Sequence, residues 1–139
     1  MTAWTQIARD ALDGSENGLM SFGDTVKILT EAGFDGYGVD FRQATRTYYL
    51  PDGRTMAFPI LPVGVPVAER FDVAVVREAI REAQTNAPGY TYPGFCDKVA
   101  AAGCAGYLVS FLGKRVLYYG RTGETHTEYF PGTGPQAGL

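Results

Sequence analysis

An internal repeat constrains the fold of this chain more than any other feature of its sequence. When the sequence is compared with itself at a displacement of 70 positions, the distance from Gly33 to Gly103, two segments align without a gap. The identical pairs are Ala32/Ala102, Gly33/Gly103, Gly36/Gly106, Tyr37/Tyr107, Val39/Val109, Phe41/Phe111, Tyr48/Tyr118, Tyr49/Tyr119, Gly53/Gly123 and Thr55/Thr125. Self-similarity at a fixed offset is typical of repeated supersecondary units. A chain of 139 residues has the length of one domain, so the sequence predicts two copies of one unit within a single domain.

Each copy is predicted to contain a short helix that ends at a glycine. Ser21 stands three residues before Asp24, which is the pattern of a capping box, and Thr91 occupies the cap position of the second copy. Residues at helical spacing then form an apolar face, Phe22, Val26 and Leu29 in the first copy and Tyr92, Cys96 and Val99 in the second. Gly33 and Gly103 are predicted to end these helices with positive φ angles.

Alternating apolar residues follow each of these glycines and predict a strand with one buried face. They are Tyr37, Val39 and Phe41 in the first copy and Tyr107, Val109 and Phe111 in the second. Turns at 43–44 and 113–114 lead from this strand to a second strand through the tyrosine pairs. Turn signals at 51–53 and 122–123 then separate the second strand from a third strand at 55–58 or 125–130.

A longer helix is predicted before each unit. Its apolar face is Trp4, Ile7, Ala8 and Ala11 in the first copy and Val76, Ile80 and Ala83 in the second. Gly14 is expected to end the first of these helices, and Asp72 is expected to cap the second. The predicted order is therefore α-α-β-β-β, a linker, and α-α-β-β-β.

We interpret this order as an internally duplicated α+β fold. It has antiparallel meanders, helices packed on one face, and a pseudo-twofold axis between the halves. The first unit covers about 1–59, the linker 60–70, the second unit about 71–131 and a flexible tail 132–139. The sequence leaves open whether the six strands form one sheet or two.

The composition disfavours several function classes. A net charge of -3 and a pI of about 5.1 provide no positive field, so no nucleic-acid partner is expected. No apolar run approaches the roughly 18 residues that span a bilayer, and the first residues do not have the pattern of a signal peptide. We therefore expect no membrane association and a cytoplasmic location.

Catalytic and metal sites find little support in the sequence. His126, the one histidine, is a candidate base for Cys96, Cys104 or Ser110. In the repeat, however, Cys96 aligns with Val26, Cys104 with Phe34 and His126 with Met56, which are all apolar. The spacing of Cys96, Cys104, His126 and Glu128 matches no known metal site. We therefore predict buried free thiols, no catalytic residue, no metal and no cofactor.

Arginines in the hairpins, with tyrosines beside them, form the strongest ligand-binding signal. Guanidinium groups and aromatic rings suit a nucleotide or another anionic, ring-bearing ligand, whereas the alternative is a solvated surface. The predicted ligand-binding residues are Arg42, Arg46, Tyr48, Arg54, Arg115, Tyr118, Arg121 and His126. If the pseudo-twofold axis brings the two hairpins together, their arginines are expected to form one site.

Several motifs occur in the order in which a known family carries them. They are Tyr-Tyr-Leu-Pro-Asp-Gly at 48–53, Ala-Ala-Gly-Cys-x-Gly-Tyr at 101–107, Gly-Lys-Arg-Val at 113–116, Tyr-Tyr-Gly-Arg at 118–121 and His-x-Glu-x-Phe-Pro at 126–131. With these motifs the chain resembles, from about Phe22 to Pro131, the YbcV-like prophage-associated family. This group has no established function, and its members are often labelled phage envelope protein. The resemblance implies a small protein of phages, prophages and bacteria, without an implied activity or cofactor.

The sequence favours an accessory protein that acts by binding either a protein partner or a small anionic ligand. Two alternatives stay open, a small hydrolase or transferase-type enzyme that uses His126 and a minor structural protein of a virion. The virion alternative finds neither a membrane segment nor a fibrous repeat in the sequence. Association as a homodimer is also left open.

Overall fold

The computed structural model describes residues 2–133, which form four helices and six strands. The helices are α1 (Thr2–Glu16), α2 (Phe22–Glu31), α3 (Val73–Gln84) and α4 (Tyr92–Ala101), and the strands are β1 (Gly36–Asp40), β2 (Thr45–Tyr49), β3 (Thr55–Pro59), β4 (Cys104–Ser110), β5 (Arg115–Gly120) and β6 (Thr125–Tyr129). The predicted α+β class and element order are confirmed. None of these helices is long and apolar enough to cross a membrane. Of the tail predicted at 132–139, residues 134–139 lie outside the described part of the chain.

All six strands form one antiparallel sheet, a point that the sequence left open. The strand order is β3-β2-β1-β4-β5-β6, so each half supplies a three-stranded meander and the meanders join through β1 and β4. At that junction Gly38 pairs with Leu108, the residue that occupies the equivalent position in the second half of the repeat. The other residue pairs of β1 and β4 are arranged symmetrically on both sides of this pair. The register therefore has the symmetry of a twofold axis through this pair. A common origin of the two halves stays a prediction.

The helix ends follow the predicted capping signals. Both hydrogen bonds of the capping box between Ser21 and Asp24 are present at the start of α2, and the Thr91 hydroxyl accepts a bond from the backbone of the first turn of α4. The Asp72 side chain caps α3. Gly33 and Gly103 have φ angles of 96° and 95°, as expected for residues that end a helix in the left-handed region.

Two details of the first helices differ from the prediction. Helix α1 does not end at Gly14 but continues to Glu16. Gly14 serves close packing instead, because it lies under the side chain of Met20, where a larger residue would be crowded. In α2 the fully buried positions are Thr25 and Leu29, not Phe22. Thr25 is tolerated there because its hydroxyl lies 3.3 Å from the buried hydroxyl of Ser15.

The helices pack on the sheet, and the alternation of the strands decides which residues they cover. The predicted strand residues Tyr37, Val39, Phe41, Tyr107, Val109 and Phe111 are all buried. Leu108, between two of them on β4, points the other way and is 41% exposed. One face of the sheet therefore carries the core, and the opposite face carries partly exposed side chains.

The cysteines lie in the core as free thiols, which confirms the sequence prediction. Cys96 and Cys104 are both buried and unbridged. Burial raises the pKa of the Cys96 thiol to about 12 and that of Cys104 to about 11. Both groups are therefore protonated at neutral pH, where a nucleophilic cysteine would have to be a thiolate.

Candidate anion-binding cavity

A cavity of about 990 Å³ lies on the helix-covered side of the sheet. The loop from α1 to α2, the end of α3, the start of α4 and the end of β6 surround it. The strand residues that line it come from both halves of the repeat and are Tyr37, Arg46, Tyr107, Val116, Tyr118, Glu128 and Tyr129. The cavity is therefore formed by the two halves together, and neither half contains all of it.

Arg46 is the feature of this cavity that needs an explanation. It lies on the inward face of β2 next to the core residue Tyr48 and is only 1% exposed. A guanidinium is protonated at every physiological pH, so its burial places a full positive charge inside the protein. Charged side chains are almost never fully buried without a partner.

The guanidinium of Arg46 is surrounded by tyrosines. Its Nη2 donates to the hydroxyl of Tyr92 at 2.9 Å, and its Nη1 lies 3.4 Å from the hydroxyl of Tyr48. The group also lies over the rings of Tyr37 and Tyr92, at 4.6 and 5.5 Å from their centroids. The Tyr92 and Tyr107 hydroxyls are 2.6 Å apart, which extends this hydrogen-bonded network across the cavity floor.

No negative charge balances Arg46 among residues 2–133. The salt bridges of the described residues do not include it, and its Nε is buried without a hydrogen-bond partner. The tyrosines stay neutral, because burial raises the pKa of Tyr37 to about 12 and raises the pKa of Tyr48, Tyr92 and Tyr107 as well. The cavity floor is therefore electrically positive.

The walls of the cavity are mainly apolar. They include Val26, Ile80, Phe95 and the pair Phe22 and Phe130, whose rings meet edge to face with centroids 5.8 Å apart. These side chains offer van der Waals contact but no charge. An occupant of the cavity would therefore need an apolar body as well as an anionic group.

A histidine and a glutamate lie at one side of the cavity. Glu128 is among the lining residues, and its carboxylate lies 2.9 Å from Nε2 of His126. The His126 ring also stacks on Tyr118, with centroids 6.4 Å apart. His126 is thus held in place by both neighbours. Within the described residues, no group of three or more histidines, cysteines or carboxylates is placed to hold a metal ion.

The structure brings only part of the predicted site together. Of its residues, Arg46 and Tyr118 line the cavity, Tyr48 lies in the core beside Arg46, and His126 contacts Tyr118. The remaining four arginines, Arg42, Arg54, Arg115 and Arg121, do not line it.

These four arginines lie in or beside turns at opposite ends of the sheet. Arg42 and Arg121 belong to one end, and Arg54 and Arg115 belong to the other, as the strand register requires. The physical reason is that β1 and β4 pair antiparallel, so equivalent hairpins point in opposite directions. The expected meeting of the two basic hairpins does not occur at this cavity.

Three of these four arginines have local side-chain contacts instead. Arg54 pairs with Asp52 at 2.7 Å and lies over the Trp4 ring. Arg115 lies over the ring of Tyr129, with 4.7 Å between its Cζ and the ring centroid. Arg121 donates to the backbone carbonyl of Val67 at 3.2 Å.

Of the tyrosines that surround Arg46, the sequence interpretation included Tyr48 in the site but missed the other three. Tyr37 and Tyr107 were assigned to the strand core and Tyr92 to a helix face, which is where they lie. The overlooked signal is that Arg46 aligns with Val116, an inward-facing apolar position. That alignment places the arginine inside the protein, where tyrosines of the core become its partners.

Comparisons with known proteins returned neither a matching family model nor a matching curated protein. The resemblance to the YbcV-like family therefore stays a prediction, and a function for the chain has to be argued from the cavity.

Proposed function

We propose that the chain binds a small anionic ligand in the cavity, with Arg46 as the residue that receives the negative charge. The observation that carries this proposal is a fully buried guanidinium whose Nε has no partner and which no carboxylate of residues 2–133 neutralises. Arg46 lines the cavity floor, and because its side chain is only 1% exposed, a ligand that enters between the helices reaches the guanidinium by displacing the Tyr92 hydroxyl.

The energetics support a ligand-binding role for Arg46 over a stabilising one. Removing an ion from water costs on the order of several kcal/mol in a protein interior. Cation–π contacts with Tyr37 and Tyr92 return about 2 kcal/mol each at a desolvated site, and the hydrogen bond to the Tyr92 hydroxyl adds to this, but none of these partners supplies a negative charge. A ligand carboxylate or phosphate would add charge-assisted hydrogen bonds, worth about 1.5–3 kcal/mol each. The guanidinium is therefore better satisfied with an anion bound than without one.

The test compares Arg46→Gln with Arg42→Gln, which removes an exposed arginine outside the cavity. Thermal unfolding is followed with millimolar benzoate, octanoate, phenyl phosphate and adenosine monophosphate. We expect at least one of these anions to raise the Tm of the wild type and of Arg42→Gln, because a ligand that binds only the folded state stabilises it. The same anion is expected to have little effect on Arg46→Gln. Equal shifts in all three proteins, or no shift with any anion, would contradict the proposal.

The biological context of this binding function is proposed from the resemblance to the YbcV-like family. On that basis we propose an accessory protein of phages or prophages that acts in the cytoplasm, and whose ligand regulates contact with a protein partner or a second copy of the chain. Size-exclusion chromatography with and without a binding anion tests the self-association. A mass that the anion does not change would argue against ligand-regulated self-association.

A second candidate function is supported by the contact between His126 and Glu128. The carboxylate of Glu128 lines the cavity and lies 2.9 Å from His126 Nε2, an arrangement in which the histidine can act as a general base. His126 is not itself among the residues that line the cavity, so a small hydrolase or transferase would need a ligand that extends from Arg46 past Glu128 to this pair. Turnover of nitrophenyl acetate or nitrophenyl phosphate by the wild type, lost in His126→Gln, would favour the enzyme over the binding protein.

A further inference from the structure

We infer that the ligand of this cavity is an amphipathic organic acid, with a single carboxylate on an aromatic or aliphatic body. This inference rests on the proposed function, since it takes Arg46 as the residue that receives the ligand's charge. It is narrower, because it excludes phosphate esters and nucleotides as preferred ligands. Three observations support it separately, namely the charges of the cavity, the unpartnered edge of the guanidinium and the apolar walls.

The charges around the cavity suit a ligand with one negative charge. Arg46 is its buried cation, and the other lining cation, Lys27, is exposed. Three carboxylates, from Glu16, Asp24 and Glu128, also line the cavity. A dianionic phosphate ester would bring two negative charges to one buried positive charge and would be repelled by these carboxylates. A single carboxylate is neutralised by Arg46 alone.

The unpartnered Nε edge of the Arg46 guanidinium suits the two oxygens of a carboxylate, which reaches this buried edge when the Tyr92 hydroxyl moves aside. Nε has no partner, and Nη2 on the same edge of the planar group is held by the Tyr92 hydroxyl. A carboxylate binds such an edge through two parallel hydrogen bonds, which adds orientation as well as energy. In the bound state it takes the bond from Nε and replaces the Tyr92 hydroxyl at Nη2. The displaced hydroxyl keeps Tyr107 as a partner.

The size and the apolar walls of the cavity favour a ligand that has a large apolar body in addition to its carboxylate. Its volume of about 990 Å³ is at the upper end of the range of about 300–1,000 Å³ that is usual for small-molecule sites. Acetate would leave the contacts with Phe95, Ile80 and Phe130 unused. A ring system or a branched aliphatic chain would remove these apolar surfaces from water, which favours binding in proportion to the area buried.

The test uses a matched series on the whole chain, namely naphthylacetate, naphthylethanol, naphthyl phosphate and acetate. Calorimetry is run at mildly alkaline pH, where the phosphate ester is a dianion. We expect naphthylacetate to bind at least tenfold more tightly than each of the other three. Arg46→Gln should reduce the affinity for naphthylacetate at least tenfold, and Arg42→Gln should leave it unchanged. Arg46→Lys keeps the charge but not the planar edge, so we expect it to bind more weakly than the wild type.

The outcomes separate a failure of this inference from a failure of the proposed function. If naphthyl phosphate binds more tightly than naphthylacetate, and binding still requires Arg46, the cavity is an anion site but the single-carboxylate inference is wrong. If naphthylethanol binds as tightly as naphthylacetate and Arg46→Gln changes neither, the proposed function fails as well. If none of the four compounds binds at millimolar concentration, the amphipathic-acid inference is overturned. A far-ultraviolet circular dichroism spectrum confirms that each variant is folded, and Arg46→Lys provides the comparison if Arg46→Gln is not.

Discussion

The two halves of the sheet place chemically opposite side chains at the same position of their second strands. Arg46 of β2 aligns with Val116 of β5, and both line the cavity, one charged and the other apolar. Around them the halves agree closely, with Tyr37 matched by Tyr107 and Tyr48 by Tyr118. The repeat therefore supplies a common framework of strands and tyrosines, and the departure from the repeat supplies the charge on which the proposed function depends.

The largest expected effect comes from making the second half copy the first at this position. Val116→Arg would force a guanidinium into the space of a buried valine, on a strand that two others separate from β2 and directly across from Glu128, whose carboxylate already contacts His126. The steric overlap costs about 1–3 kcal/mol, and the desolvation of the charge adds to this because Glu128 offsets it only in part, so we expect most of the stability of the folded state to be lost. The matched control is Leu112→Arg, since Leu112 aligns with Arg42 and is 80% exposed. Chemical denaturation followed by fluorescence measures both, and a small effect of Val116→Arg would mean that Glu128 or water in the cavity compensates for the new charge.

A smaller effect is expected from replacing the glycines that end α2 and α4, and the loss of stability should differ between the two positions. Gly33 and Gly103 have nearly the same φ angle, but a Cβ at Gly33 would contact no neighbour, whereas one at Gly103 would collide with the carbonyl of Arg70. Gly33→Ala should cost about 1–2 kcal/mol for the left-handed backbone alone. Gly103→Ala adds the steric overlap, and we expect it to cost at least about 1 kcal/mol more. Equal losses in urea denaturation would show that the segment containing Arg70 moves aside.

Replacing Arg46 by an apolar residue, as the second half has at this position, should weaken anion binding without lowering the stability of the folded state. Arg46→Met has a similar volume and removes the buried charge, so we expect the stability to be unchanged or to rise by about 1 kcal/mol. Anion affinity should fall at least tenfold, which corresponds to about 1.4 kcal/mol. Urea denaturation and calorimetry with naphthylacetate measure the two quantities on the same sample. A loss of stability above about 2 kcal/mol would assign Arg46 a structural role in place of a functional one.

The smallest expected effect concerns alkaline pH. An unfolded cysteine ionises near its ordinary pKa of 9.0, whereas burial raises the pKa of Cys96 to about 12. The unfolded state therefore releases this proton first, so the stability contributed by the thiol is complete below pH 9 and is lost as the pH rises towards 12. Cys96→Val reproduces Val26 of the first half and should make stability less dependent on pH in that interval. Denaturation at pH values on both sides of 9 tests this, and identical slopes for wild type and variant would show that the buried tyrosines alone control the effect.

Much of the fold was predictable because local signals and the repeat agree. Ser21 and Thr91 cap their helices, Gly33 and Gly103 end them, and the alternation at Tyr37 and its counterpart identifies the buried face. Gly14 misled the prediction, because a glycine inside a helix can serve close packing instead of termination, and its contact with Met20 is not visible in a local pattern. Whether the strands form one sheet depended on pairing between distant strands, which local signals do not encode.

The candidate site was less predictable than the fold. Arginine is usually exposed, so the composition of the hairpins suggested a surface patch of several arginines. Only the alignment of Arg46 with Val116 indicates an inward position, and nothing local indicates that Tyr92 of α4 would reach it. The direction of the hairpins could not be predicted either, because it follows from the antiparallel pairing of β1 with β4.

That central pairing also has a consequence for the order of folding. Every other strand pair in the sheet joins neighbours along the chain, but Val39 pairs with Tyr107 across about half the length of the chain. Closing so large a loop costs entropy before any contact compensates for it, so non-local pairing is slow compared with hairpin formation. We expect the two meanders to form early and to dock late. Since Arg46 meets Tyr107 and Tyr92 only after docking, the binding site is completed in the last step of folding, and ligand binding reports on the finished molecule.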